Sequence, residues 1–184
     1  MGKIFKFGVP MFLLAFLILG GGIFTSRTHA AAYNLGMTFD QFADAYSANA
    51  DIFGIPQFRI YDAEFVAGSV KNAYKYQFTS SLSLIVSVDK NSGLMRDVGI
   101  LAMPQNDSEI LDMLLAYGII VVTLNPELSQ AQRGQLMQQL YLVPEKLPML
   151  IKNIGKAVRG NVRHQSVFVQ EYGLFTLTAT AKDL

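Results

Sequence analysis

Apolar residues recur at helical spacing near the start of the chain. Residues 39–50 place apolar side chains on one stripe, which predicts an amphipathic helix. Thr38 and Gln41 have the spacing of a capping box, so the helix should begin directly after Thr38. Gly54 and Pro56 lie close together and predict that the helix ends before them.

The next part of the chain changes to the spacing of strands. Residues 58–66 are moderately apolar, and in residues 74–78 aromatic and polar side chains alternate. Residues 82–88 alternate in the same way, and residues 94–103 follow after a short turn rich in Asp, Asn and Gly. Because that turn is short, the last two strands should form an antiparallel hairpin.

Helical patterns return after Pro104. Residues 110–124 are nearly all apolar, with an N-cap pair at Asn106 and Glu109, and a helix that is apolar all round is expected to be central and buried. About 15 apolar residues are too few to span a bilayer, which needs about 20. Ser129 and Gln132 offer a cap for a further helix.

The last third of the chain predicts a short helix and two strands. Pro148 suits the first turn of a helix through Ile154, and residues 162–169 and 174–179 have strand patterns. The predicted order is therefore one helix, four strands, two or three helices and two strands. This order predicts an α+β fold, in which an antiparallel sheet of about six strands is covered by helices mainly on one face.

The first 32 residues have the pattern of a secretory signal peptide. Lys3 and Lys6 precede an uncharged, mostly apolar run over residues 7–24, and three alanines at residues 30–32 supply the small residues that a signal peptidase requires. We therefore expect cleavage near Ala32 and one extracytoplasmic domain, secreted or periplasmic, over residues 33–184. The alternative is an uncleaved N-terminal helix that anchors the domain to the membrane.

Composition excludes several classes of function. The leader holds three of the 15 basic residues and none of the 14 acidic ones, so the remaining chain has a net charge of −2, without the basic excess expected of a nucleic-acid-binding protein. The absence of Cys excludes thiol catalysis, zinc–thiolate sites and disulfides, and is compatible with a small exported bacterial protein. We find no motif for a cofactor, and no metal-site pattern is evident.

Few residues of the predicted domain suit catalysis. His164 is its only histidine, and we interpret it as a surface or strand-face residue in preference to a catalytic one. Asp40 and Asp44 lie one helical turn apart, and Asp62 and Glu64 would point to one side of a strand. Such pairs could share a proton or hold a cation, but solvated carboxylates are the simpler interpretation.

Basic residues are concentrated between residues 146 and 163. On a helical wheel they cluster opposite apolar residues, which would suit contact with an anionic membrane surface or an acidic partner. An ordinary surface helix would show the same pattern. The residues are Lys146, Lys152, Lys156, Arg159 and Arg163.

These patterns together favour a non-enzymatic binding or interaction protein, whose partner would be a protein or another component of the cell envelope. Two alternatives stay open at this point. One is a carboxylate-dependent hydrolase of the cell envelope, because two opposed carboxylates can hydrolyse glycosidic bonds without His or Cys. The other is association with the membrane surface through residues 146–163.

Overall fold

The computed structural model describes residues 34–182, which form one antiparallel sheet of seven strands with three α-helices. The predicted α+β class is confirmed. The predicted leader over residues 1–32 and its cleavage site near Ala32 lie outside the described residues.

The helices and strands follow one another in the order α, four strands, two α-helices, three strands. The helices are α1 (Phe39–Ile52), α2 (Asp107–Leu124) and α3 (Gln130–Gln139). The strands are β1 (Glu64–Val66), β2 (Asn72–Thr79), β3 (Leu82–Val88), β4 (Met95–Ala102), β5 (Gly155–Arg159), β6 (Val162–Val169) and β7 (Leu174–Ala181).

All three helices begin at the predicted caps. In each, the N-cap side chain accepts a hydrogen bond from a backbone N–H three residues later, which satisfies a donor that the helix itself leaves unpaired. The pairs are Thr38 with Gln41, Asn106 with Glu109, and Ser129 with Gln132. The side chains of Gln41 and Gln132 also accept from the cap backbone, so α1 and α3 have complete capping boxes.

The sheet consists of two meanders joined in the middle. The strand order is β1-β2-β3-β4-β7-β6-β5, and each neighbouring pair is antiparallel. The predicted hairpin of β3 and β4 is confirmed, and Gly93 takes a positive φ of 69° in its turn. The pairing of β4 with β7 makes the last strand along the chain a central strand of the sheet.

One face of the sheet packs against the helices. A row of directly opposed, inward-facing residues crosses six strands, and its members are Tyr74, Val86, Val98, Ala179, His164 and Ala157. Phe39 of α1 stacks on Tyr74 with ring centroids 3.9 Å apart, and Tyr117 of α2 donates a hydrogen bond to the Thr178 carbonyl at 2.8 Å. The core therefore lies between this face and the helices.

The segment that should have formed the first strand is mostly irregular. Only Glu64–Val66 is a strand, while Pro56–Phe58 forms a 3-10 helix. Pro56 fixes its own φ at a value that suits the first turn of a helix, and it has no backbone N–H to donate to a neighbouring strand. The chain therefore turns here instead of extending. Arg59 then binds Asp51 at the end of α1 in a bidentate ion pair at 2.6 Å.

The sheet has seven strands instead of about six because residues 155–159 form a strand. The short helix predicted from Pro148 to Ile154 is a 3-10 helix over Leu147–Ile151, and β5 follows it. A Cβ atom on Gly155 would collide with the Leu140 carbonyl and the Ser166 hydroxyl, so only glycine lets β5 approach there. Gly160 then has a φ of 54° in the turn to β6.

Helix α2 is central but is not buried all round. Its inner side, which includes Met113, Tyr117 and Ile120, is fully buried. On its outer side Leu111 is 54% exposed, and Leu114 is only partly buried. The expectation of a helix buried on every side is therefore wrong for the outer side, which is an apolar surface accessible to solvent.

Candidate functional site

Two clefts lie side by side along the outer side of α2, and Leu114 lines both. The first, called here the strand-side cleft, has a volume of about 550 Å³. Among the described residues that line it, Asp107 is the only charged one, and Phe168 and Phe175 line it near the end of β6 and the start of β7. Its other lining residues are Ile110, Leu111, Leu114, Pro144, Leu147, Pro148 and Ile151.

The second, called here the helix-side cleft, lies between α2, α3 and the segment after α1. It has a volume of about 440 Å³. Both volumes fall in the range of about 300–1,000 Å³ that is typical of small-molecule sites. Apart from Leu114, its lining residues are Phe53, Ile55, Leu115, Gly118, Ile119, Val121, Val122, Gln130, Arg133, Gly134 and Met137.

Arg133 is the only charged residue among the described residues that line the helix-side cleft. Its Nη2 donates to the Pro126 carbonyl at 3.1 Å. Its Nε is buried and has no hydrogen-bond partner within residues 34–182, and the side chain forms no ion pair with a carboxylate in that range. A buried donor of a charged group without a partner is unfavourable, so this nitrogen is the least satisfied polar atom of the cleft.

His164 lies in the core and is fully buried, as are its partners Tyr117 and Asn125. Its Nδ1 is 3.1 Å from the Tyr117 hydroxyl, and its Nε2 is 3.3 Å from Asn125 Nδ2. Because the Tyr117 proton is donated to the Thr178 carbonyl, the hydroxyl oxygen accepts from His164 Nδ1–H. Nε2 then accepts from Asn125, so the ring is neutral and both of its nitrogens are satisfied.

Burial has shifted the titration of this network. Desolvation, together with the positive charge of Arg159, lowers the pKa of His164 to about 4. Burial also raises the pKa of the Tyr117 hydroxyl far above its usual range. The interpretation of His164 as a strand-face residue fits these contacts, whereas a surface position is wrong because the ring is fully buried. The ring therefore has no access to a substrate from solvent.

The five predicted contact residues do not share one helical face, because residues 155–159 and 162–169 are strands. Lys146 and Lys152 flank the 3-10 helix at Leu147–Ile151. Lys156 and Arg163 are exposed on the sheet face opposite the helices. The arrangement predicted from the helical wheel is therefore wrong, although three of these residues, Lys152, Lys156 and Arg163, are exposed.

Arg159 differs from the other four because it faces α3. Its Nη2 donates to Gln139 Oε1 at 3.0 Å, and its Nη1 donates to the Val158 carbonyl at 2.7 Å. The guanidinium is therefore held against the protein, and it is close enough to His164 to lower the pKa of that ring.

Exposed apolar side chains lie in β5 and in the segment before it, near the exposed basic residues in the chain. The apolar residues are Met149, Ile151, Ile154 and Val158, each 42–51% exposed. Val158 lies directly opposite Arg163 in the ladder of β5 and β6. We call this set, with Lys152, Lys156 and Arg163, the β5-edge patch.

The predicted carboxylate pairs are solvated. Asp40 and Asp44 are exposed on α1, and Asp62 and Glu64 are exposed at the start of β1. None of the four lines either cleft. No group of three or more His, Asp or Glu side chains within residues 34–182 is arranged to hold a metal ion.

Reasoning from the sequence missed the clefts and Arg133. The clefts bring together residues that are distant along the chain, such as Phe53, Leu114 and Met137, so no local spacing marks them. The available signals were the surplus of apolar residues in α2 and the glycines inside α2 and α3, at residues 118 and 134.

Comparisons of the chain with protein-family models, with curated proteins and with solved structures found no match. Among the helices within residues 34–182, none combines the length and the apolar character needed to cross a membrane.

Proposed function

We propose that this chain is a non-enzymatic binding protein that acts outside the cytoplasm and takes an apolar ligand along the outer side of α2. The observation that carries the proposal is the pair of apolar clefts that meet at Leu114. The extracytoplasmic location rests on the signal-peptide pattern of residues 1–32.

The lining of the clefts supports binding in preference to catalysis. Ligand sites are typically concave and mostly apolar, with a few polar groups that orient the ligand. Here most lining residues of both clefts are apolar, and the charged groups are Asp107 in one cleft and Arg133 in the other. Large apolar surfaces of this kind are typical of interaction sites.

A neutral apolar fluorophore tests the proposal directly. N-phenyl-1-naphthylamine should increase its emission when it is titrated with the purified protein. Leu114→Gln should weaken this binding about tenfold, because burying a leucine side chain against an apolar ligand contributes about 1.5 kcal/mol or more. Val70→Gln is the matched control, since Val70 is 82% exposed and lines neither cleft.

Circular dichroism of both variants establishes that they are folded before their affinities are compared. Absence of probe binding to the wild type contradicts the proposal. So does equal binding by the two variants, which would place the probe elsewhere on the protein.

A second candidate function, association with an anionic membrane surface, is favoured by the β5-edge patch. Basic groups near an anionic leaflet contribute about 1 kcal/mol each, and exposed apolar side chains add to the attraction. The triple variant Lys152→Gln, Lys156→Gln and Arg163→Gln should lose most of its sedimentation with anionic vesicles, and added salt should weaken the binding of the wild type. Equal sedimentation of the wild type with anionic and neutral vesicles excludes this electrostatic account.

A further inference from the structure

The helix-side cleft combines an apolar lining with one cation that has no carboxylate partner among the described residues. Arg133 Nε is buried without a partner within residues 34–182, and no acidic side chain is among the residues that line the cleft. The guanidinium is planar and carries five donors that match a carboxylate in geometry and charge. An anionic group in the cleft would therefore meet a positive charge that no carboxylate among the described residues neutralises.

Two glycines keep this cleft open. Gly118 in α2 and Gly134 in α3 both line it, and both lie inside helices, where glycine is less stable than alanine. Glycine in a helix often permits a close approach of another element, but a Cβ atom on either of these residues would meet nothing within 4 Å. Packing therefore does not require glycine at either position, and the space that the missing side chains leave belongs to the cleft.

We propose that the helix-side cleft binds a free long-chain carboxylate, with its chain along α2 and its carboxylate on Arg133. The assignment rests on the proposed function and names its ligand class. The volume of about 440 Å³ suits a small molecule, and the walls that Ile55, Leu115 and Met137 contribute suit an alkyl chain. The carboxylate would accept from the guanidinium of Arg133, which lines the cleft, in a charge-assisted hydrogen bond.

Isothermal titration calorimetry with three ligands of one chain length tests this assignment. The ligands are dodecanoate and dodecylammonium, each below its critical micelle concentration, and 1-dodecanol below its solubility limit. The wild type should bind dodecanoate about tenfold tighter or more than dodecanol, because a hydrogen bond to a charged group contributes that much to affinity. Dodecylammonium should bind more weakly than the alcohol, since its charge repels that of Arg133.

Two variants and one control distinguish the contribution of the Arg133 charge from that of the apolar cavity. Arg133→Gln should abolish the preference for dodecanoate over dodecanol. Gly118→Leu should weaken the binding of both dodecanoate and dodecanol, because the leucine side chain would extend into the cleft. Arg163→Gln removes an exposed cation that does not line the cleft, so it should retain the preference and exclude a general effect of net charge.

The outcomes distinguish this assignment from the proposed function. Equal affinities of wild type for dodecanoate and dodecanol, or a preference that survives Arg133→Gln, overturn the role of Arg133 while apolar binding stands. Failure of dodecanoate, dodecanol and the neutral fluorophore to bind overturns the proposed function as well.

Discussion

Acidification from pH 7 to pH 5 should destabilise the fold through His164. The neutral ring donates from Nδ1 to the Tyr117 hydroxyl and accepts at Nε2 from Asn125. A second proton on Nε2 would face the Asn125 amide donor, and its charge would be buried among apolar side chains. The folded protein therefore resists protonation at this ring, and the pKa of His164 is lowered from 6.5 to about 4.

The sign and size of the effect follow from these two pKa values. Below pH 6.5 the unfolded chain takes up a proton that the folded protein does not, so the free energy of unfolding falls as the pH falls. Between pH 7 and pH 5 the loss is about 2 kcal/mol. Asp51, Asp89 and Glu109 have lowered pKa values, and their contribution is lost only below the ordinary values of 3.8–4.5. This pH interval therefore reports on the histidine.

Urea unfolding followed by circular dichroism at pH 7, 6 and 5 measures the effect. His29, the other histidine of the chain, is replaced by Gln in all proteins so that only one imidazole titrates. The His164→Gln variant should then show nearly the same free energy of unfolding at the three pH values, whatever its absolute stability. A wild type whose stability is flat between pH 7 and pH 5, or a variant that retains the full slope, would refute this account of the buried ring.

Three further predictions concern the helix-side cleft, the core and export. Gly118→Ala should raise the free energy of unfolding by about 0.5–1 kcal/mol in chemical denaturation, because alanine is the better helix former and its Cβ meets open space; a decrease in stability would show that the position is tightly packed. Ile120→Ala should cost about 2–5 kcal/mol, whereas Leu114→Ala should cost less because Leu114 is only partly buried; equal costs would mean that the outer side of α2 is as well packed as the inner side. Mass spectrometry of protein from the native host should give an N-terminus near Tyr33, and a full-length chain retained in the membrane would contradict cleavage.

The parts of the fold that depend on local hydrogen bonds and turns could be predicted from the sequence. Thr38, Asn106 and Ser129 cap helices through bonds that span three residues, so the residues that form them lie together in the sequence. The alternation in residues 82–88 predicted a strand for the same reason, since neighbouring side chains point to opposite faces. The one-sided packing of the helices followed from the resulting order of elements.

The parts that depend on distant contacts could not be predicted in this way. Lys152 and Lys156 are four residues apart, which is the spacing of one face of a helix, but Lys156 lies in strand β5. That strand begins at Gly155, where Leu140 approaches so closely that only glycine fits. Leu140 is distant along the chain, so local spacing could not predict this contact. The unpaired nitrogen of Arg133 likewise depends on how α3 lies against α2. A charged residue in a polar helix such as α3 gives no local sign that part of it is buried.

The central position of β7 determines when the sheet can be completed. Until Leu174–Ala181 docks, β4 is an edge strand whose backbone donors and acceptors are free to pair with another chain. The register joins Asp97 to Thr180, which are separated by α2, α3, β5 and β6, and contacts between such distant residues form slowly. We therefore expect the rate-limiting step of folding to be the docking of β7, and the interval before it to be the period in which the chain is most prone to aggregate.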